Sequence, residues 1–420
     1  MTNEYLKIVE QMGKYKTVQN IMHHVNKETL YLKHKAQIKK KAPGIDGITK
    51  IEYDQNIEDN LEKLVGKMKR FSYKPQAVRR VYIPKIASDK LRPLGIPSYE
   101  DKLVQGVMAD ILNIIYEPKF LDISYGFRPK RSCHQAILDL DKKIMREPVN
   151  YIVDADIKGF FDNVNHEWMI KFLEHDIEDK NFIRYIKRFL RSGIMEEGKF
   201  IESDKGTPQG GLISPILANV YLHYVLDLWF EKVIKKECYY ASMVRYADDF
   251  VCCFRHEREA KMFLSKLKER LLKFGLEIAE DKTKIMRFGR FQKSKETFDF
   301  LGFTHINGVN RRGNYKLIHH TSSKKLKAKM KAAKQWLYEH FHEKPSEIIE
   351  KLNVKLIGHY RYYGISDNHN KLRRFQNYCR RQLFIALNRR SQKKLTWEKY
   401  LNILKYNPIV EPKIYISTWQ

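Results

Sequence analysis

Two acidic clusters in this chain could do chemistry. In VDADIKGFFD, Asp154, Asp156 and Asp162 fall where an apolar run containing Ile152 and Val153 ends. In VRYADDFVCCF, Asp248 and Asp249 lie between two apolar runs. A carboxylate beside buried strand residues is costly unless it is paired or binds a metal. The adjacent pair alone also suits a polar hairpin turn, and Asp162, ahead of NVNHEW, reads as a helix cap. If Asp156 and Asp248 stand at strand ends side by side in one sheet, they offer oxygen ligands to Mg²⁺, which takes one or two protein carboxylates plus substrate phosphates. Two such ions about 3.5–4 Å apart activate an attacking oxygen and stabilise a leaving one.

The elements that must position these residues follow from periodicity and turn signals. Residues 1–41 read as one or two basic helices, closed by a turn at Pro43, Gly44 and Gly47. A helix is expected over 51–70, then a hairpin with strands near 78–83 and 91–96, stopped by Pro84 and Pro97. Leu103, Val107, Ile111, Leu112 and Ile115 set a helix over 99–116. The spacing further predicts a strand over 151–157, a helix after Asn165, a long helix over 213–236 and a hairpin near 242–254. A helix over 257–274, a strand near 276–279 and another in TFDFLGFTH follow, and helices take over after 320. Hairpins mixed irregularly with helices point to an α+β core with an antiparallel sheet, followed by an all-helical end. The expected division is 1–41, a basic helical extension; 42–310, the core; and 311–420, the helical domain.

Composition restricts the partner. The 420 residues carry a formal charge of +29, and about two-thirds of that excess lies in residues 311–420. So much positive charge opposes folding by self-repulsion and calls for a polyanion, nucleic acid first. The hydrophobic share of 43% supplies ample core. Five cysteines, Cys133, Cys238, Cys252, Cys253 and Cys379, form no CxxC pair, so a disulfide framework or zinc finger is not expected. The polar N-terminus has no signal-like apolar stretch, and no run of 18 apolar residues suggests a span. A cytoplasmic protein without membrane partners is the expectation.

The order DIKGFFD, GTPQGGLISPILANVYL, RYADDF, GLEIAEDKTK and FLGF resembles the palm of a reverse transcriptase. More narrowly, with APGIDG, RRVYIPK, RPLGIP, SYGFRPKRS and GHYRYYG, it resembles the reverse transcriptase/maturases encoded by group II introns, over roughly residues 40–400. The resemblance implies a right-hand polymerase, with fingers and palm followed by a helical thumb and maturase RNA-binding domain. It implies catalytic Asp156, Asp248 and Asp249, and metal ligands Asp156, Ile157 and Asp248 for two Mg²⁺ ions, with Mn²⁺ tolerated. Lys85, Arg92, Gln209 and Lys282 match nucleotide-binding positions, Lys282 being the one suggested to protonate the leaving pyrophosphate. Phe161 matches the aromatic that collides with a ribose 2′-hydroxyl, whereas Phe160 reads as core. One departure is Gly159, where many relatives carry a longer side chain.

Around Gly126, the cations Arg128, Lys130 and Arg131 could grip a template backbone, or flank a helix start near Ser132. In the helical end, GHYRYYGISDNHNKLRRF interleaves aromatics with basic groups as stacking plus phosphate contact needs, so Arg373 and Arg374 are expected to bind RNA, while Tyr360 and Tyr363 suit stacking or their own core equally well. The phenylalanines of FDFLGF serve either a primer-contacting hairpin or packing. The implied partners are an RNA template, a DNA primer, deoxynucleoside triphosphates and the intron RNA. A DNA-cleaving domain with paired CxxC ligands is not expected. Competing readings are a splicing cofactor with incidental polymerase activity, a related polymerase adopted for defence or repair, and a two-metal nuclease.

Overall fold

The computed structural model describes residues 3–84, 91–196, 198–202, 204–207, 210–390 and 393–418. The chain divides into two compact units. The first holds Met1–Pro84, Leu91–Ala136 and Ile152–Ile285; the second holds Ile137–Tyr151 and Met286–Gln420.

In the first unit, β1 (Val78–Pro84) and β2 (Leu91–Ile96) form the expected antiparallel hairpin, with Ile83 opposite Arg92. Next come β3 (Tyr151–Asp156), β4 (Ile194–Glu196) and β5 (Lys199–Ile201). They are followed by β6 (Ala241–Tyr246), β7 (Asp249–Phe254) and β8 (Lys284–Arg287), in which the chain leaves the unit. One sheet has the order β2-β1-β4-β5 and is mixed, because β1 and β4 run parallel. In the other, β6, β7 and β3 are neighbours in that order, with β6 and β7 antiparallel. β6 and β7 bury nearly every side chain, which is why ASMVRY and DFVCCF read as apolar runs rather than alternating strands.

Around these sheets stand helices whose apolar stripes face inward. Tyr99–Tyr116 is buried on almost all sides, including Leu103, Val107 and Ile111, and runs through the middle of the unit. The helical run from Ser214 to Glu237 includes two π-helical turns, His223–Asp227 and Phe230–Ile234. The helix expected over 51–70 is two, Lys50–Asp54 and Ile57–Lys69, broken where Asn56 leaves helical geometry. The strand expected at 276–279 reduces to a single bridge between Ile278 and Ile157.

Asp162 does not cap the following helix. It sits inside a short helix, Phe160–Asn163, and the cap of His166–Asp176 is Asn165, whose side chain accepts from the Trp168 amide at 3.0 Å. Gly159 precedes that short helix with φ +54, a left-handed position that suits glycine for backbone reasons.

The second unit contains a three-stranded sheet, β9 (Thr297–Phe300), β10 (Phe303–Val309) and β11 (Tyr315–Thr321), in the order β11-β10-β9. TFDFLGFTH is therefore two strands, not one. Leu301 and Gly302 both take positive φ and form a two-residue hairpin turn, which a leucine conceals from sequence reading. The β10–β11 hairpin crosses residue 310, where the composition changes. β11 shows no clear apolar alternation in sequence because its buried positions include His319, which hydrogen-bonds Asp141 at 2.9 Å and His305 at 3.0 Å.

Four helices then pack on one another: Ser323–His340, Pro345–Tyr363, His369–Asn388 and Trp397–Tyr406. Their shared core includes Leu337, Leu352, Leu356, Leu372, Leu383 and Tyr400. Tyr360 and Tyr363 belong to that core, so stacking on a base is not their role. Among the described residues, no helix is long and apolar enough to cross a membrane.

Candidate active site

Asp156 ends β3, and Asp249 begins the neighbouring strand β7. Tyr246 pairs with Asp249, so Ala247 and Asp248 form a two-residue loop at the tip of the β6–β7 hairpin. The polar-turn reading of this stretch is what the structure shows. Beyond β3, the Ala279 amide donates to the Asp156 carbonyl at 2.8 Å, and the Lys158 amide to the Glu277 carbonyl at 2.9 Å. These bonds flank the antiparallel bridge from Ile157 to Ile278, so the amide and carbonyl of Ile157 itself point to the opposite edge of the strand.

The electrostatics agree with convergence. Burial pushes the Asp248 carboxyl above its ordinary value; its own backbone amide opposes this, the Asp156 charge adds to it, and the Arg92 and Arg245 guanidiniums oppose it. Lys282 donates from its ammonium to Asp156 Oδ2, and this bond raises the lysine above its usual value, with smaller contributions from the charges of Asp281 and Asp248. Two carboxylates whose charges disfavour one another form a set that a hard divalent ion would suit, in competition with the Lys282 ammonium for the Asp156 oxygen. The ligands on offer, Asp156, Asp248 and the Ile157 carbonyl, are all oxygen, as Mg²⁺ and Mn²⁺ prefer. Among the described residues, no group of three or more His, Cys, Asp and Glu could hold a metal by itself.

The first unit also holds a cavity of about 380 Å³, lined by Arg80, Phe161, Asp162, Glu202, Asp204 and Thr207 among others. Its size is within the range of roughly 300–1,000 Å³ usual for small-molecule sites. Phe161 is half-buried, and its carbonyl accepts from the Thr207 amide at 2.7 Å. Phe160 is core, at 2% exposure. Arg92 is exposed on β2. Lys85 and Gln209 lie outside the described residues. Arg80 on β1 also lines the cavity, and its guanidinium pairs with Glu196 at 3.2 Å.

Residues 83–305, more than half of the chain, match the family described as reverse transcriptase (RNA-dependent DNA polymerase). The chain belongs to the reverse transcriptase family. Within it, this member is similar to the group II intron-encoded protein LtrA of Lactococcus lactis subsp. cremoris, 42% identical over 204 residues, 47% of this chain and 33% of LtrA. It is 35% identical over 218 residues to the putative COX1/OXI3 intron 1 protein of Saccharomyces cerevisiae, covering 50% of this chain and 24% of that protein. Protein YkfC of Escherichia coli (strain K12) is 29% identical over 308 residues, 66% of this chain and 79% of YkfC. The chain thus spans about a third of LtrA and a quarter of the yeast protein.

In this family member the cations expected to meet nucleic acid differ in setting. Arg128 is buried, at 6% exposure. It forms a forked pair with Glu117 (2.9 and 3.0 Å) and donates to the Leu121 and Ser124 carbonyls (2.7 and 2.8 Å). It shapes the loop rather than presenting charge to a template. Arg131 pairs with Asp122 and lies over the Tyr125 ring. Lys130 is exposed at the loop tip with φ +60. Arg373 and Arg374 are both exposed on the helix His369–Asn388. Phe298, Phe300 and Phe303 of FDFLGF are all core.

Proposed function

We propose that this protein is an RNA-directed DNA polymerase that extends a DNA primer on an RNA template, and that it binds group II intron RNA to assist splicing and mobility. What carries the reading is the pair Asp156, at the end of β3, and Asp248, in the turn that leads into the neighbouring strand β7, within mutual electrostatic reach. Membership of the reverse transcriptase family and similarity to intron-encoded proteins support it.

In this reading Asp156, Asp248 and the Ile157 carbonyl would hold two Mg²⁺ ions, with Asp249 beside them contributing less directly. When bound, such ions lower the pKa of the primer 3′-hydroxyl and offset the charge developing on the phosphates. The protein's own contribution is mostly placement. Arg92, with Lys85, neutralises the triphosphate; Gln209 contacts the incoming nucleotide; the Phe161 ring excludes a 2′-hydroxyl. Lys282 leaves the Asp156 carboxylate, where it rests here, to give a proton to the departing pyrophosphate. Lys130, Arg131, Arg373 and Arg374 supply phosphate contacts to the template and intron RNA, and Arg128 orders the loop that carries the first two. A cytoplasmic site of action completes the proposal.

The test is primer extension on a poly(rA) template with an oligo(dT) primer, Mg²⁺ and dTTP, comparing the protein with Asp248→Ala. Synthesis by the first and none by the second is expected, with RNA binding nearly equal. Substantial synthesis by Asp248→Ala would remove that residue from the site.

A further inference from the structure

The arginine of the RYADD stretch has no role in the chemistry above, yet Arg245 and Asp227 are both fully buried. Arg245 Nε donates to Asp227 Oδ1 at 2.7 Å, and a terminal nitrogen donates to the other carboxylate oxygen. Its second terminal nitrogen donates to Asn219 Oδ1 at 3.1 Å and to the Ala247 carbonyl at 2.9 Å. Asn219 in turn donates to the Gly126 carbonyl at 2.7 Å. The Arg245 main chain is bound as well: its amide to the Ile123 carbonyl (2.8 Å) and its carbonyl to the Tyr125 amide (2.9 Å). Asp227 is presented by the π-helical turn His223–Asp227, a rare local geometry often found at functional sites.

The target of this network is strained. Ala247 holds φ +59, a region where a side chain is disfavoured by about 1–2 kcal/mol. Gly126 closes the other side: a Cβ there would lie 2.3 Å from the Ala247 nitrogen. A buried ion pair is a poor source of stability, because a well-packed apolar pair of similar volume usually serves as well or better. An apolar pair could not hold the Ala247 carbonyl, one peptide from Asp248.

We propose that Arg245, Asp227 and Asn219, with Gly126 opposite, are positioning residues that clamp the Ala247 turn and so aim the Asp248 carboxylate at the metal. This rests on the reading of Asp248 as a metal ligand.

The experiment uses the full chain and the double variant Arg245→Met/Asp227→Leu, which removes both charges together. Three quantities are read: the unfolding temperature, Mn²⁺ binding by electron paramagnetic resonance without substrates, and kcat and KM for dTTP. The expected result is an unfolding temperature near wild type, Mn²⁺ binding weaker by about 10–100-fold, and kcat lower by about 100-fold with KM little changed. A folded double variant with wild-type Mn²⁺ binding and kcat would overturn the proposal. Should that variant not fold, Gly126→Ala keeps every charge and presses directly on the turn. The same two losses are expected there, and wild-type values in folded Gly126→Ala would be equally fatal. A wild-type protein that neither binds Mn²⁺ nor extends a primer brings down the metal-site reading itself; an active wild type with unaffected variants brings down only the clamp.

Discussion

Lys282 places its ammonium on the carboxylate of Asp156, although 126 residues separate them in sequence. A lysine bound there competes with any cation for the same oxygen, and it must leave that oxygen if it is to reach a phosphate. Replacing it with the uncharged Lys282→Met separates these effects. Primer extension is expected to slow by about 10²-fold, the scale of losing a general acid, while Mn²⁺ binding measured without nucleotide does not weaken. A fall in Mn²⁺ affinity that accounts for the whole loss of rate would assign the lysine to the metal site instead.

Phe161 has its backbone pinned by Thr207 and its ring at the cavity wall. Phe161→Val keeps an apolar residue but opens space. The ratio of kcat/KM for dTTP over UTP should drop by at least tenfold, mainly through improved use of UTP. Unchanged sugar selectivity would disqualify the ring as the gate.

The arginines set apart by burial should differ in what they do when removed. Arg373→Ala/Arg374→Ala touches exposed groups, so the fold should hold while binding to a hairpin RNA weakens. The slope of log K against log salt should shrink by about 1–2. Arg128→Ala leaves the Glu117 charge and two carbonyls without their partner, and should lower stability by about 2 kcal/mol or more. Filter binding across a salt series, with thermal melts of both variants, distinguishes the two roles.

His359 provides a pH prediction. It is buried against Tyr363 and Phe375, and neither ring nitrogen has a hydrogen-bond partner among the described residues. Burial, with a smaller push from the Lys329 charge, lowers its pKa from 6.5 to about 4. Between these values the unfolded chain binds the proton and the folded one does not. Stability is therefore complete above about pH 6.5 and declines as pH falls to about 4, by about 3 kcal/mol in all. His359→Phe should flatten that part of the acid-melting profile. An unchanged profile would mean that another group governs acid sensitivity.

The residues proposed for the candidate site are legible in the chain because they sit in local patterns. Asp156, Asp248, Phe161 and Arg92 each follow or interrupt an apolar run, and the hairpins and helices around them have strong periodicity or turn signals. Ordered motifs then pointed to one polymerase family. Features defined by distant partners were not legible. Nothing near TFDFLGFTH announces that a leucine takes a left-handed turn, and β11 was concealed because His319 is buried only by virtue of Asp141 and His305. The arginine in ASMVRY was a visible anomaly, a charge in an otherwise apolar strand, but its partner lies 18 residues upstream on a π-helical turn.

The chain alone determined which residue types lie at strand ends, how positive the protein is and where that charge accumulates, since these depend on neighbours within a turn or two. Only the tertiary structure decided which charges are available to a ligand. It folded Arg128 and Arg245 inward, left Arg373 and Arg374 in solvent, and set Lys282 against Asp156. Burial and pairing of a charge depend on what the rest of the fold brings to it, and in a sequence an arginine that grips RNA and one that grips its own backbone are written the same way.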